Sequence, residues 1–192
     1  FDDGPGPMTE GVSSAMKAAR APAVFFVLGS KLNATGRERV KAEAADGNFP
    51  GVHGYWHATE DGKPLTAYST DKILRQFTSV AGSIKAASGE APAFFRPPYG
   101  IITPDALRAL SSDLGLVPVG WTIDSLDWST KDPDVLFDKV TGMIKSRGKG
   151  MVLMHDIHPQ SVAAAKRLAV WLGENGFKVV SPERMAAAYR GK

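Results

Sequence analysis

At 192 residues, with 43% apolar and 22% charged residues, the chain is long enough for one domain with a full core and is ordinary in composition for a globular protein. Its net charge of +3 is spread without a basic block, so nucleic acid is not implied, and no stretch nears the ~20 apolar residues of a membrane helix. Zero cysteines exclude disulfides, thiolate ligands and a thiol nucleophile together.

The chain opens on Phe1-Asp2-Asp3-Gly4-Pro5, two adjacent acids before a turn. A carboxylate motif at residue 2 needs an element to hold it, so a first strand is expected upstream of Phe1. Any secretion signal would lie there too. A helical pattern over residues 9–20 follows, then the apolar run 23–28, which reads as a buried strand ended by Gly29. Helix 35–46, a short strand at 51–53, helix 69–88 and a strand at 93–96 continue the alternation. Helix 103–114, strand 117–123, helix 133–147, strand 150–155, helix 161–175, strand 177–181 and helix 182–190 complete it. Thr103-Pro104-Asp105 and Asp132-Pro133-Asp134 read as caps with proline at the first helical position, and Gly89, Gly115 and Gly176 as stops. Apolar strands alternating with helices predict a parallel sheet covered by helices, of six strands plus the upstream one. The expected unit is a single domain over residues 1–192.

The polar residues fall at one end of these strands. His53, Arg96, Asp124 with Asp127, and His155 come at or just after strand C-termini, and Asp2-Asp3 would do the same for the first strand. In a closed barrel of strands and helices those ends converge on one face, where such folds place their chemistry. The four histidines form two tight groups, His53 with His57 and His155 with His158. An i, i+4 spacing aims both imidazoles of the first group to one side, and one carboxylate would complete a three-ligand metal set with positions left for water and substrate. The bland reading is a loop histidine beside a half-buried one. Of two adjacent acids, one can ligate while the other takes a proton from water; an Asx turn is the structural alternative.

Arg96-Pro97-Pro98-Tyr99-Gly100 stiffens the backbone after its strand, so an N–H following the prolines is preset to meet an oxyanion. Alternatively, Arg96 only balances the acids and the prolines form a rigid corner. Asp124-Ser125-Leu126-Asp127-Trp128 offers a carboxylate to hold a histidine and an indole to flank a sugar. His155, oriented by an aspartate, would have its pKa raised toward the range of a proton donor. His158 reads as loop structure or rim.

Together, Phe1-Asp2-Asp3-Gly4-Pro5, His53-Gly-Tyr-Trp-His57, Arg96-Pro-Pro-Tyr99, Asp124-Ser-Leu-Asp127-Trp128 and Leu153-Met-His155 resemble the five ordered motifs of the polysaccharide deacetylases, the NodB-homology domain of carbohydrate esterase family four. The resemblance implies an α/β fold, a distorted (β/α)7 TIM-like barrel, that hydrolyses the N-acetyl group of N-acetylglucosamine-type residues. It implies Asp2 as general base, Asp3, His53 and His57 as ligands of one divalent metal, and Arg96 as the residue that orients Asp2. The amide of Tyr99 would bind the oxyanion, Asp127 would tether His155, the general acid, and Trp128, Leu153, Pro98 and Tyr99 would line the groove. Zinc is the first metal expected, with cobalt, nickel or manganese as alternatives.

The implied partner is an acetylated polysaccharide, peptidoglycan first, acted on outside the cytoplasm by a monomer. Chitin oligosaccharides, acetylated xylan, another C–N substrate and an inactive carbohydrate-binding module are the alternatives. Two local departures from the family pattern stand out. Gly54 replaces the usual Ser or Thr after the first ligand histidine, and the polar stretch 58–68 is longer than expected, predicting a rim loop.

Overall fold

The computed structural model of the chain describes residues 1–59 and 61–191. Its elements run β1 (Asp2–Gly4), α1 (Thr9–Ala18), β2 (Val24–Val27), α2 (Ala34–Ala45), β3 (Phe49–Val52), α3 (Thr70–Ser88), β4 (Phe94–Phe95) and α4 (Pro104–Leu114). The second half runs β5 (Val117–Pro118), β6 (Ile123–Asp124), α5 (Pro133–Arg147), β7 (Val152–Leu153), α6 (Pro159–Glu174) and α7 (Pro182–Tyr189). The predicted caps act as such: Thr103 accepts the Ala106 N–H, Asp132 accepts from Asp134 and Val135, and Gly89 and Gly115 close α3 and α4.

All strand pairs are parallel, in the order β1-β2-β3-β4-β5 and β6-β7. An isolated bridge between Asp2 and His155, with the Asp2 N–H donating to the Met154 carbonyl (2.9 Å), joins β7 back to β1. Among the described residues no ladder joins β5 to β6, so the ring is a distorted, incompletely closed seven-stranded barrel.

Side chains alternate across each strand. Phe25 packs with Val12, Met16, Leu136 and Ala165 beneath α1, α5 and α6, while Val27, Val52 and Phe95 pack with Phe77, Val80 and Leu110 beneath α3 and α4. The opposite parity, Phe26 and Phe94, turns inward with Val117 and Val119. Each fully buried phenylalanine adds roughly 1.5–3 kcal/mol of burial. That fixed register aims the polar residues: Arg96 shares the parity of Phe94, and its guanidinium lies 4.4 Å over the Phe26 ring.

The acid pair lies on backbone that pairs with β2 and bridges to His155. Two expectations change. The single strand expected at 117–123 is two, since Pro118 lacks an N–H and Gly120 interrupts the run between them. Residues 177–181 form no strand: Phe177 and Val179 line an apolar cavity of about 580 Å³ with Phe1, Val24 and Met151, and the β-rich pattern meets no ladder. In the expected rim loop, Glu60 lies outside the described residues. The remainder is pinned by Thr59, whose N–H donates to the Lys63 carbonyl (2.8 Å), and by the buried Leu65.

Candidate functional site

Three side-chain groups converge at the strand C-termini. The first is Asp3, His53 and His57, whose ligand-capable atoms all lie within 4.8 Å of one another. Asp3 reaches this position from a left-handed backbone (φ 71°). Its Oδ1 is 3.3 Å from His53 Nε2 and 3.3 Å from His57 Nε2. His53 is buried at the end of β3, with Nδ1 2.7 Å from the Arg96 carbonyl oxygen. A carbonyl only accepts, so Nδ1 carries a proton, and in the neutral imidazole that a metal ligand requires Nε2 presents a lone pair. In that form Asp3 Oδ1 and His53 Nε2 meet as two acceptors, and both are buried with no hydrogen-bond partner. Two facing acceptors buried in this way are unfavourable unless a cation lies between them, so the donor set fits a divalent metal.

Burial works to raise the Asp3 carboxyl, but the hydrogen bond and charge that a protonated His53 would offer, with the charges of His57 and His155, outweigh it and hold it at about 2. Burial depresses the His57 imidazole, with Asp3 opposing, which favours the neutral ring a ligand needs. The Tyr99 ring packs edge-on to His57 with centroids 4.4 Å apart. Between the two histidines, Gly54 sits at φ 90°, a conformation that a side chain would strain.

The second group is Asp2 with Arg96, both buried. Arg96 Nη1 donates to Asp2 Oδ1 at 2.6 Å, while its Nε and Nη2 donate to the carbonyls of Val119 and Gly120, each at 2.9 Å. Asp2 Oδ2 stays 3.8 Å from His53 Nε2, beside the first group but outside its ligand set.

The third is Asp127 with His155. Asp127 Oδ1 lies 2.7 Å from His155 Nδ1, and Oδ2 accepts the His155 backbone N–H (2.7 Å) and the Ser161 hydroxyl. Burial would lower the His155 pKa, but the hydrogen bond and charge of Asp127 reverse this and raise it. Burial likewise opposes the ionised form of Asp127, yet His155 and Ser161 hold its pKa down. Activity that needs a protonated His155 is therefore expected to persist above the ordinary histidine range and to fall as pH rises through the raised value. Asp127→Asn removes the raising charge, so the alkaline limb of a kcat/KM profile should move to lower pH; an unmoved limb would remove His155 as the titrating group.

Around these groups, Tyr99 is exposed with a left-handed backbone (φ 58°) after the buried Pro98. Trp128 is 64% exposed, and Leu153 is buried at the end of β7. Asp124 does not join the site: its Oδ1 accepts the Leu126 N–H (2.9 Å) and shapes the turn that presents Asp127. His158 precedes α6 without a side-chain hydrogen bond to its first turn, its ring 6.0 Å from that of His155. Ser161, and Gln160, which donates to the Asp127 carbonyl (2.8 Å), escaped the sequence reading. The only local signal for them was Pro159 opening a helix.

The profile described as Polysaccharide deacetylase matches residues 1–119. A peptidoglycan-N-acetylglucosamine deacetylase of Bacillus cereus is 32% identical over 187 residues, covering 93% of this chain and 66% of that protein. A chitooligosaccharide deacetylase of Sinorhizobium fredii is 32% identical over 199 residues, covering 94% and 87%. The structure of the peptidoglycan deacetylase PdaC from Bacillus subtilis superposes with a TM-score of 0.81 at 28% identity, over 100% of this chain and 90% of that one. Other relatives are matched over as little as 37% of their length.

Proposed function

The chain belongs to the polysaccharide deacetylase family, and on that premise we propose that it removes the acetyl group from N-acetylglucosamine-type residues of a polysaccharide, peptidoglycan first. The observation that carries the reading is the buried, unpartnered Asp3 Oδ1 facing His53 Nε2, flanked by the Asp2–Arg96 and Asp127–His155 pairs. A divalent cation held by Asp3, His53 and His57 would supply Lewis acidity to the amide carbonyl and the attacking water; two imidazoles and a carboxylate suit zinc first.

The chain's own residues do the rest. Asp2, oriented by Arg96, accepts a proton from the water as its oxygen attacks the acetyl carbonyl carbon. The Tyr99 N–H, preset by the prolines before it, donates to the developing oxyanion. His155, protonated and held by Asp127, gives its proton to the sugar nitrogen as the C–N bond breaks. Acetate and a free amine leave, and no covalent intermediate forms.

Trp128 supplies an exposed indole face for a sugar ring beside this centre, and Leu153 and Pro98 give the groove apolar wall for the acetyl methyl. Trp128→Ala should raise KM for a chitin tetramer severalfold with little change in kcat, measured as amine release; an unchanged KM would remove Trp128 from the groove. No helix among the described residues is long and apolar enough to cross a membrane. Action on a cell-wall polymer places the working site outside the cytoplasm.

Acetate release from peptidoglycan, chitin oligomers and acetylated xylan, with and without chelator, tests the reading. Chelator-sensitive release from peptidoglycan supports it, preference for chitin oligomers favours the substrate of the Sinorhizobium fredii relative, and no release from any of the three rejects it. His57→Ala removes one of three donors and should leave the purified protein with substoichiometric zinc by elemental analysis. Full occupancy in that variant would strike His57 from the ligand set.

A further inference from the structure

Asp156 follows His155 at the end of β7, is fully buried, and has no part in the chemistry above. Its carboxylate is pressed against the Gly4 backbone, where a Cβ built on Gly4 would overlap both carboxylate oxygens. Thr9, buried at the start of α1, donates its hydroxyl to Asp156 Oδ2. The same hydroxyl accepts the Gly6 N–H at 2.7 Å, so it stands between a backbone donor and the Asp156 carboxylate. A continuous relay therefore runs from the Gly6 amide through Thr9 to Asp156, spanning the turn that begins at Asp3.

That turn needs restraint. Asp3 is held at φ 71°, a left-handed conformation that persists in a non-glycine residue only where the surroundings enforce it. On one side, Lys31 Nζ donates to the Asp3 carbonyl (2.6 Å) and the Leu28 N–H donates to the Gly4 carbonyl (2.9 Å). On the other side stand Asp156 and Thr9.

We propose that Asp156 is a positioning residue: through Thr9 and its contact with Gly4 it holds Asp3 where Oδ1 meets His53 and His57, and so sets the affinity of the cation site. This rests on the assignment of Asp3, His53 and His57 under the proposed function. Because Asp156 adjoins His155, it also fastens the metal-side turn to the strand that carries the proton donor.

The test is zinc affinity by chelator competition, with the visible absorption spectrum of the cobalt-substituted protein, on wild type, Asp156→Ala, Asp156→Asn, Thr9→Val and Thr9→Ser. Asp156→Ala and Thr9→Val should bind zinc about 10- to 100-fold more weakly, the range typical when a partner behind a ligand is removed, and should alter the cobalt spectrum. Asp156→Asn keeps the acceptor and Thr9→Ser keeps the hydroxyl, so both should stay near wild type. Wild-type affinity and spectrum in Asp156→Ala and Thr9→Val overturn the proposal. Equal losses in all four variants also overturn it, because the relay would not be what was removed. If Asp156→Ala does not fold, the Thr9 pair decides alone. A wild-type protein that binds no zinc rejects the underlying site, a result distinct from normal wild-type binding with unaffected variants.

Discussion

Asp2→Asn is expected to lower kcat for deacetylation by about 10²- to 10⁴-fold, the usual contribution of a positioned general base, while leaving zinc content unchanged. The asparagine carbonyl can still accept from Arg96, so the shape of the pair survives and only the proton acceptor is lost. Asp2 is outside the Asp3, His53 and His57 cluster, which is why metal should be retained. Single-turnover kinetics on a chitin oligomer with parallel elemental analysis would decide it. Activity near wild type would transfer the base role elsewhere; simultaneous loss of zinc would make Asp2 a ligand.

Arg96→Met should be the most destabilising single change in the site. Arg96 and Asp2 are 2% and 4% exposed, and breaking a buried ion pair by removing one partner costs about 3–5 kcal/mol, because the other charge is left uncompensated. Here the carbonyls of Val119 and Gly120 lose their donors as well. Urea denaturation should show the loss, and adding Asp2→Asn to Arg96→Met should recover part of it, since the stranded carboxylate is then gone. A cost under 1 kcal/mol, or a double variant no more stable than the single, would show that the pair is not the constraint its geometry describes.

Stability should also depend on pH at both ends of the Asp127–His155 pair. His155, with its pKa raised, contributes fully below the ordinary histidine value and loses its contribution as pH rises through the raised one. Asp127, with its pKa lowered, contributes above the ordinary carboxylate value and loses its contribution as pH falls through the depressed one.

Much of this site was legible because its residue types are rare and sit at strand ends. His53, Arg96, Asp127 and His155 are separated in sequence, yet strand termini of a parallel sheet share one edge, and the structure brings them together there. The helices were legible for a related reason: Asp132-Pro133 and Thr103-Pro104 are local signals with local consequences. Thr9, Asp156 and Ser161 were not, since the Thr9–Asp156 contact crosses 147 positions and no spacing rule encodes it. The split between β5 and β6 was written in Pro118 and Gly120 but was outweighed by the apolar run around them. Residues 177–181 misled in the opposite way: their side chains suit a strand, but a strand also needs a neighbour.

The segment leaving β5 gives Arg96 a second identity. The Val119 N–H donates to the Phe95 carbonyl (2.9 Å), and beside it the Arg96 guanidinium donates to the carbonyls of Val119 and Gly120, so a side chain extends the attachment of this segment to the end of β4. One residue thus anchors the chain as it leaves β5 and aims the carboxylate beside the cation site. Loosening that anchor should be visible as faster amide hydrogen exchange across residues 117–123 in Arg96→Met. The catalytic edge and the end of β5 are therefore held by the same side chain in this protein.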